Sequence, residues 1–220
     1  MRVMPGGLER VRVQFDMDMT SLLEVDASGH GVVLTGRFVT LRPLTVEDAA
    51  VTLRWRLGER ATYMQEGART ESEQRAWIAA HANEPCGYNF IHEYRNTPVG
   101  MVALNQINFG NRSVMMGRLL IGEPELVGSA PVFFESEILL CDFAFHQLKM
   151  HKLYGEIMDD NLGMIRTRRY LGYKQDGVLR DHYFVRGAFH NAVAVSLLET
   201  EYRLVARPKL VQMVSLFGRA

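Results

Sequence analysis

The chain has 220 residues, 47% of them hydrophobic and 23% charged, a balance that suits one globular domain, with or without extensions. Lys plus Arg and Asp plus Glu both number 25, so no overall charge argues for nucleic acid or a membrane surface, and any anion site has to come from local geometry. No apolar run approaches the roughly 18 residues of a membrane span, and the N-terminus lacks a signal-peptide core, so a cytoplasmic protein is expected. The two cysteines, Cys86 and Cys141, are far apart and read as small buried hydrophobes of a reducing compartment. His146 and His151 are spaced wrongly for two ligands on one helix face, and no metal site is expected.

Along the chain, "VRVQFDMDM" (11–19) alternates strictly and predicts a half-buried strand. A turn cluster, "DASGHG", precedes a second strand near 32–42. Thr45 with Asp48 predicts a helix start, with the helix running to about Leu57. Thr70 and Glu73 in "TESE" form a capping box that opens a second helix to about Ala82. Strands near 88–95, 99–107 and 113–121 follow as an antiparallel meander. After "GEPELVGSAP", apolar residues at helical spacing predict a long helix over 132–149. A strand, "KLYGEIM" (152–158), leads to a helix from about Leu162 to Leu171, stopped by Gly172. Two last strands, near 173–186 and 189–200, turn at Arg186-Gly187. Leu210, Met213, Val214 and Phe217 share one helical face of the tail, which should dock on the domain or on a partner subunit. The order predicts a mixed α/β chain with one strand–loop–helix junction at 117–135. The division is an N-terminal strand extension (1–34), a main domain (35–206) and an amphipathic C-terminal tail (207–220).

This order resembles the GNAT acetyltransferases (GCN5-related N-acetyltransferases), specifically the branch of ribosomal-protein and nucleotide-linked amino-sugar enzymes. The resemblance runs from about Gly36 to Tyr202. It is carried by "GRFVTLRPLTVEDA", "SEQRAWI", "PVGMVAL", "IGEPELVG", "DFAFHQLKMHKLYGEIMDDN", "LGYKQDGVLRDHYFVRGAFHN" and "SLLETEY" in sequence. It implies an acetyl-CoA-binding fold: a central, mostly antiparallel sheet flanked by helices, with one strand splayed from its neighbour to admit the pantetheine arm. A helix N-terminus, with its unpaired amides and positive dipole end, would take the pyrophosphate. By the resemblance, the residues at the cofactor are Leu119, Ile121, Val127, Gly128, Ser129, Ala130, Val132 and Asn161. Asn161 would otherwise be an ordinary helix cap. Arg166, Arg168 and Arg169 would attract CoA phosphates or an anionic substrate, or else form a solvated face.

The sequence departs from the family pattern at three places. The phosphate loop usually reads Gln or Arg, two residues, Gly, one residue, then Gly or Ala; here those positions hold Val127, Ala130 and Val132. Pro131 removes a backbone donor, and Glu135 and Glu137 would repel a pyrophosphate if they faced it. The Tyr that protonates the leaving thiolate in many relatives is replaced by Arg168, and the Glu that often acts as base is replaced by Met115. The remaining candidates for catalytic groups are Glu123, Tyr170 and His182, each with a structural role as the alternative.

The segment "LRWRLGERATYMQEGARTESEQRAWI" (53–78) corresponds to the part of the family lying over the acceptor site, which points to Trp55, Arg56, Tyr63 and Met64 as substrate contacts. Either Trp could instead be core, Trp77 more readily than Trp55. The arrangement resembles the amino-sugar enzymes. The expected function is acetyl transfer from acetyl-CoA to a small-molecule primary amine, best a nucleotide-linked amino sugar. The alternatives are a protein N-terminus, polyamine or small metabolite, or a non-catalytic relative whose pantetheine cleft is filled by Phe133 or Phe134. Extra strand edges suggest a homodimer.

Overall fold

The computed structural model describes residues 22–25, 31–82 and 87–217. The strand expected over 11–19 and the residue Cys86 lie outside them. β1 (Leu22–Val25), β2 (Val32–Thr35) and β3 (Val39–Pro43) run antiparallel in succession. A 3-10 turn (Val46–Asp48) leads into α1 (Ala49–Leu57), and α2 (Glu71–His81) follows. β4 (Tyr88–Tyr94), β5 (Thr97–Asn108) and β6 (Ser113–Ile121) form the meander. The chain then makes one helical turn, α3 (Pro124–Val127), and enters α4 (Val132–Asp142), which continues as a π-helical turn (Phe143–Gln147). β7 (Lys152–Met158), α5 (Leu162–Tyr170), β8 (Lys174–Val185) and β9 (Ala188–Leu198) come next. A short turn, α6 (Glu199–Glu201), and a π-helical segment lead to α7 (Arg207–Phe217).

The described strands form one sheet in the order β1-β2-β3-β4-β5-β6-β7-β9-β8, antiparallel throughout except for the β6–β7 pair. The larger apolar cluster lies on one face, under α4 and α7; the smaller, built on Leu44, Ala49, Trp55, Ile78, Ile91 and Met101, lies under α1 and α2 on the other. That is why the β5 segment "VGMVAL" reads as a continuous apolar run: its successive side chains point to opposite faces, and both faces are covered.

The capping chemistry sets the helix starts. At α2 the Glu73 amide donates to Thr70 Oγ1 (3.3 Å) and the Thr70 amide to Glu73 Oε2 (3.2 Å), the reciprocal box expected from "TESE". At the first turn the Thr45 amide donates to Asp48 Oδ2 (2.9 Å), and Arg42 clamps the same carboxylate through both Nη atoms (2.7 Å each).

One element departs from expectation. The stretch read as a single strand over 32–42 is two strands, broken at Gly36–Phe38. The cause lies 96 to 98 positions away: the buried Glu135 carboxylate accepts the amides of Arg37, Phe38 and Val39 at 2.8, 2.7 and 2.7 Å. Gly36 sits so close that a Cβ there would lie 2.5 Å from Glu135 Cδ. Burial pushes this carboxyl's pKa up, against the pull of the three amides. Glu135 therefore faces the hairpin and not an incoming phosphate. The tail also finds its place: Leu210 and Val214 bury against the large cluster, and Arg207 pairs with Asp142 of α4 at 3.2 Å.

Candidate active site

The site begins where β6 and β7 separate. Their parallel pairing holds Ser113 to Lys152, Val114 to Leu153 and Met115 to Tyr154, and then ends, although both strands continue. On its other side β6 stays paired with β5, but through a bulge: Met101 faces Leu120 and Ala103 faces Gly117, so β6 carries one extra residue. Arg118 in that bulge has φ of +55°, rare for a residue with a Cβ. A bulge of this kind bends its strand, and it lies on the stretch of β6 that no longer pairs with β7. The gap opens into a cleft of about 1040 Å³ walled by β5, β6 and β7, the loop from Glu59 to Ala68, α2, α5 and the middle of β8.

Of the residues expected at the acceptor, Arg56, Tyr63 and Met64 line this cleft, while Trp55 does not. Trp55 is 4% exposed in the smaller core, with its ring against Gly122; a Cβ on Gly122 would come within 2.3 Å of it. Trp77 takes the cleft position instead, with the Arg118 guanidinium 4.9 Å from its ring centroid and the His81 ring stacked at 4.3 Å. The two tryptophans thus exchange the positions expected of them, Trp77 at the cleft and Trp55 in the core. Helical spacing cannot show which of two neighbouring helices presents its edge to a cleft.

The three candidate catalytic groups separate as well. Glu123 accepts from Trp55 Nε1 at 2.7 Å and from Arg54, a structural tie between α1 and the end of β6. Tyr170 is exposed outside the cleft, under Lys209 Nζ at 4.9 Å from its ring. His182 lines the cleft. It meets Glu156 Oε2 at 2.9 Å, and the same oxygen accepts from the Tyr183 hydroxyl at 2.8 Å. Glu156 and Tyr183 were not among the sequence candidates. Their pairing spans 27 positions and depends on a strand, β9, that lies between them in the sheet.

Of the residues expected at the cofactor, Leu119, Asn161 and Arg168 line the cleft, and Asn161 also caps α5, its Oδ1 accepting from the Met164 amide at 3.2 Å. Arg166 is exposed at the surface of α5. Arg168 is buried with Glu137 and Tyr173: it pairs with the Glu137 carboxylate, its Nη1 lies 3.1 Å from the Tyr173 hydroxyl, and that hydroxyl also donates to Glu137. Burial alone would lower the Arg168 pKa; the adjacent Glu137 outweighs it, and the guanidinium keeps its charge. Burial and Glu137 hold the Tyr173 phenol well above its ordinary value. Glu137 thus faces the interior, not a phosphate, so neither acid suspected of repelling one does so.

The loop Val127-Gly128-Ser129-Ala130-Pro131-Val132 is tighter than the sequence suggests. Its amides at Val127, Gly128 and Ala130 donate to Glu123, Pro124 and Val127 carbonyls at 3.2, 2.8 and 3.0 Å, so they are already engaged. Gly128, at φ of +54°, makes the turn possible. Ile121, at the end of β6, accepts from Arg60 Nε at 2.9 Å through its carbonyl. Phe133 and Phe134 pack edge-to-face at 5.1 Å and against the large core cluster, and neither lines the cleft.

Comparison with known proteins agrees with this geometry. The sequence profile described as "Acetyltransferase (GNAT) domain" matches residues 39–174. The "Probable N-acetyltransferase YjcK" of Bacillus subtilis is 24% identical over 185 residues, 77% of this chain and 98% of the relative. A spermidine N(1)-acetyltransferase of Escherichia coli is 26% identical over 122 residues, 56% of this chain and 64% of the relative. Among solved structures, a GCN5-related N-acetyltransferase from Brucella melitensis superposes with a TM-score of 0.71 at 21% identity, covering 82% of this chain and 85% of that one. A variant of the spermidine N-acetyltransferase SpeG from Vibrio cholerae superposes with a TM-score of 0.64 at 20% identity, covering 74% and 95%. With the profile spanning most of the sheet and the strands parting where an acyl-CoA arm would enter, the chain belongs to the GNAT acetyltransferase family.

Proposed function

We propose that this protein transfers the acetyl group of acetyl-CoA to a primary amine on a molecule that also carries negative charge, with a nucleotide-linked amino sugar as the best fit. The observation that carries the reading is the pair Arg56 and Arg118. Both line the cleft, and both are only half-exposed. Burial first, and the charge of Arg118 second, lower the Arg56 pKa, so the two guanidinium groups sit close enough to repel each other. Arg56 Nη2 donates to the Gln65 carbonyl at 2.9 Å and Arg118 Nη1 to Asn89 Oδ1 at 2.7 Å, contacts that hold both guanidinium groups at the cleft wall. A phosphate or carboxylate arriving there would offset the repulsion and accept forked hydrogen bonds. Trp77 beside Arg118 offers an aromatic face for a sugar or base.

The residues present fit an acetyl-CoA arm. Beyond Met115 the edge of β6 that faces β7 has no strand partner, so its backbone groups are open to an extended amide chain. Leu119 and Asn161 stand on either side of that gap, and Ile121 ends the strand. A phosphate would be left the amides at the start of α4, from Val132 on, and that of Ser129, because those of Val127, Gly128 and Ala130 are engaged, a weaker cradle than the family pattern. The cofactor supplies the activated acetyl thioester. The protein's part is to bring the amine to it and to relieve the charge that develops.

The relatives that act on spermidine favour a second reading, a polyamine acceptor, for which Glu59, Glu66 and Glu156 are the cleft carboxylates. The two readings separate in one assay. Glucosamine 1-phosphate, a UDP-linked amino sugar and spermidine are offered with acetyl-CoA, beside calorimetric binding of acetyl-CoA to wild type and Asn161→Ala. On the first reading the anionic acceptors turn over, and Arg56→Ala raises their KM by about 10- to 100-fold, the loss of a charge-assisted hydrogen bond. Turnover of spermidine alone, with Arg56→Ala without effect, would leave the polyamine reading standing.

A further inference from the structure

We propose that His182 is the general base of this transferase, taking the proton of the acceptor ammonium, and that Glu156 and Tyr183 are positioning residues that hold its imidazole. The inference rests on the amine-acetylation reading above, but not on the choice of amine.

The argument starts from a geometric oddity. His182 and Tyr183 are consecutive on β8, and consecutive strand residues point to opposite faces. Here both reach the same carboxylate oxygen, Glu156 Oε2, at 2.9 and 2.8 Å. They can do so because β8 is irregular at this point. Leu179 faces Ala192 and Tyr183 faces His190, so the three residues from Arg180 to His182 lie opposite Asn191 alone. Asp181 in this bulge has φ of +46°, and its amide is held by Asn191 Oδ1 at 3.0 Å, while Asn191 Nδ2 donates to Asp159 Oδ2 at 2.9 Å. A non-glycine residue in left-handed backbone, braced by a side chain from the neighbouring strand, is a strained device that re-aims a side chain. What it re-aims is His182, into the wall of the cleft.

Glu156 is equally well placed. It lies on β7 two residues beyond Tyr154, the last residue paired to β6, and so on the stretch that has parted from β6. Its contact to His182 Nε2 selects the tautomer with the proton on that nitrogen, which leaves the Nδ1 lone pair as the basic site. Tyr183 fixes the carboxylate from a second direction. Burial first, and then its bond to Glu156, raise its pKa, so it remains a donor. Two other titratable groups of the cleft lining are Tyr154, whose hydroxyl donates to Gln106 at 2.9 Å, and Glu66, which accepts the Arg186 amide at the hairpin tip at 3.2 Å. Both are engaged elsewhere. Imidazole is the side chain most often placed to accept a proton in general-base catalysis.

The step balances without a further reactant. The ammonium of the acceptor gives one proton to His182 Nδ1, and the freed nitrogen lone pair attacks the thioester carbonyl. A C–N bond forms and the C–S bond breaks, the electron pair leaving on the CoA sulfur. The imidazolium then returns its proton to that thiolate or to water, and the amide nitrogen loses its second proton to solvent.

The test uses the full chain with His182→Ala, His182→Gln, Glu156→Gln and Tyr183→Phe, and whichever of glucosamine 1-phosphate or spermidine the wild type acetylates. His182→Ala should lower kcat by about 10²- to 10⁴-fold, with KM for the amine and calorimetric affinity for acetyl-CoA held, and added imidazole should restore part of the rate. Glu156→Gln should give a smaller loss, and in protein with labelled histidine the nitrogen spectrum should move from the Nε2–H tautomer towards a mixture. His182→Ala or His182→Gln keeping kcat within about threefold would overturn the proposal. So would a loss matched by lost acetyl-CoA binding, or a wild-type spectrum showing the Nδ1–H tautomer. The spectrum is read without turnover, so the base can fail while the acceptor reading stands, and the acceptor reading can fail while the base stands on spermidine.

Discussion

His92 shows how much a single side chain costs when the fold gives it nothing. It sits on β4 facing the larger core, fully buried, and both ring nitrogens lack a hydrogen-bond partner. Burial lowers its pKa to about 3, so the folded protein keeps the imidazole neutral. An unfolded chain binds a proton there below about pH 6.5, the ordinary histidine value. Between pH 6.5 and 3 the unfolded state therefore holds more protons at this site, and stability falls as the pH drops through that window. Denaturant unfolding at pH 7 and pH 5 should show a loss in wild type that is smaller in His92→Leu by up to about 2 kcal/mol. An identical pH slope in both proteins would refute the assignment. Arg168 and Glu137 are the opposite case: each is buried, and each meets the charge that makes its burial tolerable. Both residues were visible in the sequence as charges inside helical segments, but their shared burial needed α4 and α5 to be brought together.

Between elements, the decisive contact is where α1 meets the end of β6. Trp55 of α1 covers Gly122, and its indole N–H binds the next residue, Glu123. This fixes one wall of the cleft against the strand that the cofactor would line. A methyl at Gly122 would lie 2.3 Å from the Trp55 ring, so Gly122→Ala should cost about 1 to 3 kcal/mol and displace α1. Chemical denaturation with tryptophan fluorescence reads both effects; an unchanged midpoint and an unchanged spectrum would show that α1 is not pinned there. The helix starts and most strand limits were legible beforehand because they are local: a capping box, a period of two or of 3.6, a glycine after a helix. The β2–β3 break was not, because Glu135, the group that stabilises it, is nearly a hundred positions away.

For the whole molecule, the tail completes the cover over the larger apolar cluster. α7 lays Leu210 and Val214 on the large cluster and Arg207 on Asp142, the same acid that receives the Tyr202 hydroxyl at 2.8 Å. A chain ending at Ala206 loses two buried aliphatic side chains, each contributing about 1.5 to 3 kcal/mol, and one partly buried ion pair. Its unfolding midpoint in urea should fall accordingly, and its α4 amides should exchange faster. A truncated chain with the full-length midpoint would mean that the tail is an ornament on an independently stable domain.

From β3 to β9 the sequence by itself determined the order of the main elements, and with it the helix starts, the mixed sheet and the family, because these follow from local periodicity and from motifs kept in order; β1 and the β2–β3 break it did not show. It also marked Arg56, Asn161, Arg168 and His182 as residues to watch. Only the tertiary structure decided which of them meet and where. The parting of β6 from β7 depends on pairing that stops after three residues, and the cleft role of Trp77 depends on which helix edge faces the gap. The meeting of His182 with Glu156 depends on a bulge in β8 and a strand between them. Each is a contact across many positions, set by strand register and layer packing, and no short stretch of sequence carries that information.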